Sequence, residues 1–288
     1  MRPATIALPK RCIFCQEQTK LTREDFFPQW FRELYPAPPE SQKSRLNAQV
    51  SWHERDPATG EIVTIVAPGK LARPGDLADQ TLRIACRPCN NGWMSRLQQA
   101  AKPHLVPYIK GHWIRPSRAA RKVISSWATM FAMVVEFADE PSAVVPPIER
   151  EVFMRDLRPP IGAHVSAGRL AGDLPYWFHQ RYWRLTLDPN EMSGLPNAQL
   201  TTIVMGHLVL QVYLTTSDLT AFDPGPRCIE LGLSPIWPLE VRASASGELP
   251  IRDRGAVVEL AHRQSRDDVL RGLAAPYRRH ESGLFGGG

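Results

Sequence analysis

The sequence predicts an α+β protein, in which a small N-terminal domain held together by zinc precedes a mixed α/β domain. Two features of the sequence carry this prediction. The first is a pair of C-x-x-C motifs, Cys12-Ile13-Phe14-Cys15 and Cys86-Arg87-Pro88-Cys89. The second is a change of hydrophobic periodicity at a long amphipathic helix that opens the second half. We therefore place one domain at residues 1–116, with an insertion at 40–80, and another at 117–288.

The two cysteine pairs predict one structural zinc site. Each C-x-x-C pair presents two sulfurs from neighbouring turns, and four thiolates suit a tetrahedral Zn²⁺. Two local disulfides are the alternative, but they suit a secreted chain, and no other feature indicates secretion. The predicted zinc ligands are Cys12, Cys15, Cys86 and Cys89.

Composition places the chain among globular proteins. It has 288 residues, of which 43% are hydrophobic and 22% charged. The segment Met1–Pro9 lacks the apolar core of a signal peptide, and the longest apolar run, Trp127–Val135, is shorter than a membrane span. We therefore expect a cytoplasmic protein of a bacterial or phage-infected cell, with no membrane partner. Composition does not predict the oligomeric state.

The N-terminal half reads as strands followed by a helix. A strand at Thr19–Asp25 follows the first knuckle, and a helical turn follows Pro28. The insertion contains a hairpin of Gln49–Glu54 and Glu61–Val66. Thr81–Ala85 leads into the second cysteine pair.

The second cysteine pair is predicted at the start of a helix. This helix covers Gly92–Lys102 and ends at Pro103, and a loop then runs to Pro116. A knuckle, strands and a helix that carries the last ligands form a treble-clef arrangement. The same arrangement is the frame of a ββα metal-binding motif.

The C-terminal half opens with a helix at Ser117–Ala138, whose apolar positions recur at helical spacing. Strands are then predicted, and Gly206 marks a turn or bulge between the two longest. A terminal helix is predicted near 255–275. The predicted strands are His164–Ser166, Tyr182–Leu187, Leu200–Met205, His207–Leu214 and Cys228–Leu231.

A basic segment predicts a nucleic-acid partner. Gln80–Val135 contains no aspartate or glutamate, and aromatic residues lie between its basic side chains. The alternative is a merely solvated basic surface. The predicted DNA contacts are Arg87, Arg96, Lys102, Lys110, Arg115, Arg118, Arg121 and Lys122.

The motifs of residues 10–105 resemble the HNH endonuclease family, in its bacterial and phage members with two C-x-x-C pairs. Those members read Leu-Thr-Lys-Glu-His-Val-x-Pro-x-Trp after the first pair, and this chain has Leu21-Thr22-Arg23-Glu24-Asp25-Phe26-Phe27-Pro28-Gln29-Trp30. At the second pair they read Cys-x-x-Cys-Asn-x-Gly-Trp-Met-Ser-x-Leu-Glu, and this chain has Cys86-Arg87-Pro88-Cys89-Asn90-Asn91-Gly92-Trp93-Met94-Ser95-Arg96-Leu97-Gln98.

The resemblance implies a DNA endonuclease with a catalytic Mg²⁺ or Mn²⁺ beside the structural zinc. It places Glu24 on the metal side and Asn90 at the helix start facing the metal. Asp25 stands where the family has its general-base histidine, and Gln98 stands where it has glutamate. Since aspartate has an unperturbed pKa of about 3.9 against about 6.5 for histidine, Asp25 is a weaker base.

Three functions follow from these observations. The first is metal-dependent hydrolysis of DNA, with Asp25 as base or as a cation ligand beside Glu24. The second is a catalytically degenerate relative that binds nucleic acid without cutting it. The third is a zinc-stabilised module for a protein partner, which the basic segment disfavours. His104 or His112 is an alternative base, although surface positions suit both better.

Overall fold

The computed structural model describes the parts of the chain that build the zinc-ligand region, the central helices and a C-terminal sheet. They are residues 11–36, 45–48, 51–55, 62–66, 71–74, 81–138, 143–185, 196–216, 232–240, 251, 253, 255–257 and 274–276. The elements in chain order are β1 (Leu21–Asp25), α1 (Phe31–Leu34), β2 (Arg45–Ala48), β3 (Ser51–Arg55), β4 (Ile62–Val66), β5 (Leu71–Pro74), β6 (Thr81–Cys86), α2 (Ser95–Ile109), α3 (Arg118–Val135), α4 (Pro147–Asp156), β7 (His164–Leu185), β8 (Ala198–Thr215), β9 (Leu233–Trp237) and β10 (Ala274–Pro276).

A two-stranded antiparallel ladder, β1 with β6, precedes α2. Leu21 pairs with Cys86 and Asp25 with Thr81, and a bulge follows Thr22. A wide helical turn, Cys89–Met94, joins β6 to α2, and the backbone at Gly92 leaves the helical region. The second cysteine pair therefore spans the strand end and the start of the helical segment.

Helix α2 continues through two prolines, so the predicted helix end at Pro103 is wrong and the predicted loop begins only after Ile109. A proline inside a helix costs about 3 kcal/mol because it removes a hydrogen bond and crowds the preceding turn. Here the apolar positions Leu97, Ala101 and Leu105 are buried, while Pro103 is exposed. Burial of that stripe offsets the cost.

Helix α3 confirms the predicted long helix. Ser117 caps it, with its Oγ accepting a hydrogen bond from the backbone N–H of Ala120 at 3.2 Å. Its C-terminal end is joined to α4 by a buried ion pair between Glu136 and Arg150. Arg150 also donates to the carbonyl oxygens of Val145 and Met133. Its donors are therefore satisfied inside the core.

The C-terminal sheet consists of two very long strands and two short ones. The order is β10-β7-β8, and β9 also pairs with β7. The sequence predicted the two long strands in separate pieces, and the structure joins the pieces. The joint in β8 is at Gly206, whose φ of +58° accompanies a shift of register against β7. The predicted irregularity is present, but it lies within one strand.

One hydrophobic cluster extends through the described residues of both halves. It contains residues of the cysteine pairs and α2 together with residues of α3, β7, β8 and β9. In the insertion, β3 pairs with β4 and thereby confirms the predicted hairpin, while β2 pairs with β5. The division into domains at 116 stays a prediction.

Two C-terminal predictions have different outcomes. The predicted helix near 255–275 is wrong at its end, because 274–276 forms strand β10. Most of its interior, and the predicted strand at 228–231, lie outside the described residues. Across the residues that the structure describes, no helix combines the length and apolar character needed to cross a membrane.

Candidate metal centre and the adjoining strand end

Four cysteines from distant parts of the sequence converge on one point. The Sγ atoms of Cys12, Cys15, Cys86 and Cys89 all lie within 4.8 Å of one another, and none forms a disulfide. The sulfurs of Cys15 and Cys86 are 3.6 Å apart. A tetrahedral Zn²⁺ with Zn–S bonds of about 2.3 Å places its sulfurs about 3.8 Å apart. The cluster therefore fits a structural zinc ion, as the sequence predicted.

The backbone builds the first knuckle around the sulfurs. The amide of Cys12 donates to the carbonyl of Glu17 at 3.1 Å, and Gln16 donates back to Cys12 at 3.0 Å. Gln16 has φ of +58°, which lets the chain turn sharply after the second cysteine. The amide of Ile13 donates to the carbonyl of Ile84, which fixes the knuckle against β6.

Aromatic and sulfur-containing side chains enclose the cluster. The ring of Trp93 makes edge-to-face contacts with Phe14 at 4.8 Å and with Phe153 of α4 at 5.8 Å. The sulfur of Met154, also on α4, lies 3.7 Å from that of Cys89. The four-cysteine cluster therefore packs directly against α4, in the C-terminal half of the chain.

The close packing of the sulfurs shifts the pKa values of Cys12, Cys15 and Cys89. Burial raises the pKa of Cys15 to about 11, and a hydrogen bond shared with Cys12 raises that of Cys89. The same hydrogen bond lowers the pKa of Cys12 to about 4. Four thiolates at this spacing need a cation to balance their charge, which Zn²⁺ supplies on binding.

Near the end of β1, Glu24 lies inside the protein. It is 4% exposed, and its Oε1 accepts a hydrogen bond from Gln98 Nε2 at 3.0 Å. Burial, and then the charge of Asp25, raise the pKa of Glu24 to about 8. Glu24 is therefore mostly a neutral acid at pH 7.

A small pocket adjoins Glu24. It is large enough to hold about one water molecule. Apolar side chains form most of its wall, and α3 supplies four of them. The lining residues are Glu24, Asp25, Phe26, Pro28, Gln98, Trp127, Met130, Phe131 and Val134.

Asp25 forms contacts of its own at the end of β1. One carboxylate oxygen lies 3.5 Å from an Arg32 nitrogen, and the other accepts a hydrogen bond from Gln29 at 3.1 Å. The Asp25 side chain is 20% exposed. Sequence reasoning missed Gln29 and Arg32 as partners, because Asp25 ends a strand and the residues between it and α1 form bends and turns, so no regular spacing predicts these contacts.

Asn90 supports the backbone of β1. Its Nδ2 donates to Thr22 Oγ1 at 3.0 Å and to the carbonyl oxygen of Arg23 at 2.9 Å. Asn90 and Gln98, which the sequence places on one helix face, thus both reach β1. Only Gln98 contacts a carboxylate.

The structure brings the four predicted catalytic residues together near the end of β1, and their roles at a second divalent ion stay a prediction. Glu24 is held neutral by burial, and the charge of Asp25 is balanced by Arg32. Asn90 donates its Nδ2 to the carbonyl oxygen of Arg23. Within the described ranges, the four cysteines form the one group of three or more potential metal-ligating Cys, His, Asp or Glu side chains. Mg²⁺ and Mn²⁺ require several hard oxygen ligands.

Most of the predicted DNA-binding residues are exposed, with two exceptions. Lys102 lies 3.3 Å from a Glu33 oxygen and stands over the ring of Trp30. Arg121 is 8% exposed and donates to the carbonyl oxygens of Ile236 and Pro238. It therefore binds the backbone at the end of β9 and does not face solvent. The exposed residues are Arg87, Arg96, Lys110, Arg115, Arg118 and Lys122.

Comparisons with family models, with curated proteins and with solved structures found no match to this chain. The assignment to a family therefore rests on the motif resemblance alone. The four-cysteine cluster and the α+β architecture are the parts that the structure shows.

Proposed function

We propose that this protein is a zinc-stabilised DNA-binding protein built on the HNH endonuclease frame, and that its altered site does not hydrolyse DNA. Support for the frame comes from the two C-x-x-C pairs, the β1–β6 ladder and the helical segment that follows. Asn90 and Gln98 both join that segment to β1. These relationships support a ββα, treble-clef arrangement as part of the proposal.

The low negative charge at the end of β1 supports the proposal that the site does not hydrolyse DNA. A nuclease site needs an unprotonated base and anionic ligands for its metal. In this chain Glu24 is buried with a pKa of about 8, and Asp25 is paired with Arg32. The carboxylates of this site therefore provide little negative charge for a divalent ion.

The exposed basic residues support DNA as the partner. Arg115, Arg118 and Lys122 lie on and before the first turns of α3, in a segment with no acidic side chain. Arginine binds phosphate in a bidentate manner, and a helix start favours anions. Electrostatic binding of this kind weakens as salt rises.

The test is duplex-DNA binding by fluorescence anisotropy at 50 to 200 mM salt. We expect affinity to fall with salt, and we expect Arg118→Ala/Lys122→Ala to reduce the slope by about 1.8 if both side chains contact phosphates. The matched control is Arg155→Ala/Arg169→Ala, which removes equal charge from α4 and β7. Absence of binding by the wild-type protein at low salt would refute the proposed function.

A second candidate, metal-dependent hydrolysis of DNA, has one observation in its favour. The Asp25 carboxylate is partly exposed at the end of β1, beside a pocket that admits a water molecule. A positioned carboxylate next to water is a general-base arrangement. The protein-partner module has no comparable support among the described residues.

A further inference from the structure

Two arginines face each other on the outer surface of the β1–β6 ladder. Arg23 on β1 is the direct partner of Arg83 on β6 in the antiparallel register. Directly opposed residues of an antiparallel pair project from the same face. Both are exposed, and neither forms an ion pair with a described residue.

This arrangement opposes the stability of the ladder. Side chains directly across an antiparallel pair have Cβ atoms about 4.5–5.5 Å apart, and like charges there are destabilising. Two arginines whose Cβ atoms are this close can direct both guanidinium groups at one phosphate and donate to its oxygens. A bound phosphate would turn the repulsion into attraction.

The surrounding structure holds the backbone of Arg23 in place. The register shift after Thr22 leaves Ile84 of β6 without a partner on β1 and brings Arg83 opposite Arg23. Asn90 fixes that point from the side, because it donates to both Thr22 Oγ1 and the carbonyl of Arg23. A residue at the start of the helical segment thus orients the strand under the arginine pair.

We propose that Arg23 and Arg83 together bind one backbone phosphate of the DNA. The inference rests on the proposed function and adds a site on the β1–β6 ladder, apart from the basic residues of α3. Asp25 projects from the same face as Arg23, two residues further along β1. The DNA backbone therefore crosses the ladder beside the altered strand end, and Asn90 acts as a positioning residue for this contact.

The experiment compares the salt dependence of duplex-DNA binding for three proteins. They are the wild type, Arg23→Ala/Arg83→Ala and the control Arg155→Ala/Arg169→Ala, which removes the same charge from exposed sites on α4 and β7. If the ladder arginines together neutralise one phosphate, the slope of log K against log salt falls in magnitude by about 0.9. The control keeps the wild-type slope.

A third variant separates binding from folding. Arg83→Glu places a carboxylate opposite Arg23, so the ladder gains an attractive pair and loses its phosphate site. We expect the thermal midpoint of this variant to equal or exceed that of the wild type. We also expect its DNA binding to be weaker than the loss of one positive charge explains. A structural role for the pair would give the opposite stability result.

The outcomes distinguish this inference from the proposed function. If the wild type binds DNA and the Arg23→Ala/Arg83→Ala variant matches the control, the inference is wrong and the proposed function stands. If the wild type does not bind DNA at low salt, the proposed function is wrong and the inference is wrong with it. A reduced slope in the ladder variant alone supports both.

Discussion

Gln98 on α2 donates a hydrogen bond to Glu24 on β1 at 3.0 Å, and this contact joins two of the four positions that the family pattern makes catalytic. The glutamate lies at 4% exposure beneath α3. The hydrogen bond from Gln98 lowers the pKa of Glu24, but burial raises it by more, so the acid stays mostly neutral. The two residues therefore form a structural link between strand and helix.

The buried acid gives the protein a defined pH dependence. Because the pKa of Glu24 is raised from 4.5 to about 8, the folded protein holds a proton between those pH values that the unfolded chain has lost. The stability from this group is greatest below about pH 4.5, and it falls as pH rises towards 8. The fall is at most about 1.4 kcal/mol per pH unit.

Replacement of Glu24 by glutamine removes this titration. We expect the thermal midpoint of Glu24→Gln to exceed that of the wild type by more at pH 8 than at pH 5, as measured by circular dichroism. The control Glu17→Gln alters an exposed carboxylate. An equal difference at both pH values would show that Glu24 is not buried as a neutral acid.

Removal of one cysteine ligand is expected to release zinc. In Cys89→Ser the metal loses a thiolate at a closed tetrahedral site, so zinc per chain falls and the region around the knuckle unfolds. Met154→Leu is the control, since it removes the sulfur 3.7 Å from Cys89 but keeps an apolar side chain. Elemental analysis after gel filtration measures both. Full zinc in Cys89→Ser would contradict the four-thiolate site.

The buried ion pair between α3 and α4 gives a stability prediction. Arg150 is 2% exposed and Glu136 is fully buried, and burial lowers the pKa of Arg150 to about 9. Glu136→Gln leaves an uncompensated buried charge, which costs about 3–5 kcal/mol in the free energy of unfolding. We expect Glu136→Leu/Arg150→Met to cost less than that single change. Urea unfolding tests this, with exposed Asp156→Asn as the near-neutral control.

Gly206 in β8 forms a close contact between the two halves of the chain. A Cβ there would lie 2.5 Å from the carbonyl oxygen of Ile109 and would overlap the Tyr35 hydroxyl. With φ of +58°, alanine also pays about 1–2 kcal/mol for the backbone conformation alone. We expect Gly206→Ala to lower stability by more than that. Gly172→Ala, which meets no atom within 4 Å, should be near neutral.

Sequence reasoning succeeded where spacing alone decides the structure. The two C-x-x-C pairs predicted four converging sulfurs because a tetrahedral ion requires that ligand set. The stripe of α3 predicted its buried face, and alternation predicted parts of β7 and β8. The resemblance to a nuclease stays an interpretation of the motifs.

Sequence reasoning failed where tertiary packing overrides a local signal. Pro103 is a strong helix breaker, yet Leu97, Ala101 and Leu105 continue the buried stripe past it, so the helix goes on. The partners of Asp25 and the depth of Glu24 depend on how α1 and α3 pack over the end of β1. A sequence contains no direct signal for the pKa that follows.

The proposal that this frame binds DNA without cutting it is tested most directly by nicking of supercoiled plasmid by the zinc-loaded protein. The reactions contain Mg²⁺ or Mn²⁺, and EDTA and Asp25→Ala serve as controls. We predict that the plasmid is bound and stays supercoiled with both metals, because Glu24 is neutral and Asp25 is paired with Arg32. Metal-dependent nicking that EDTA and Asp25→Ala both abolish would contradict this account and identify a working nuclease with aspartate as its base.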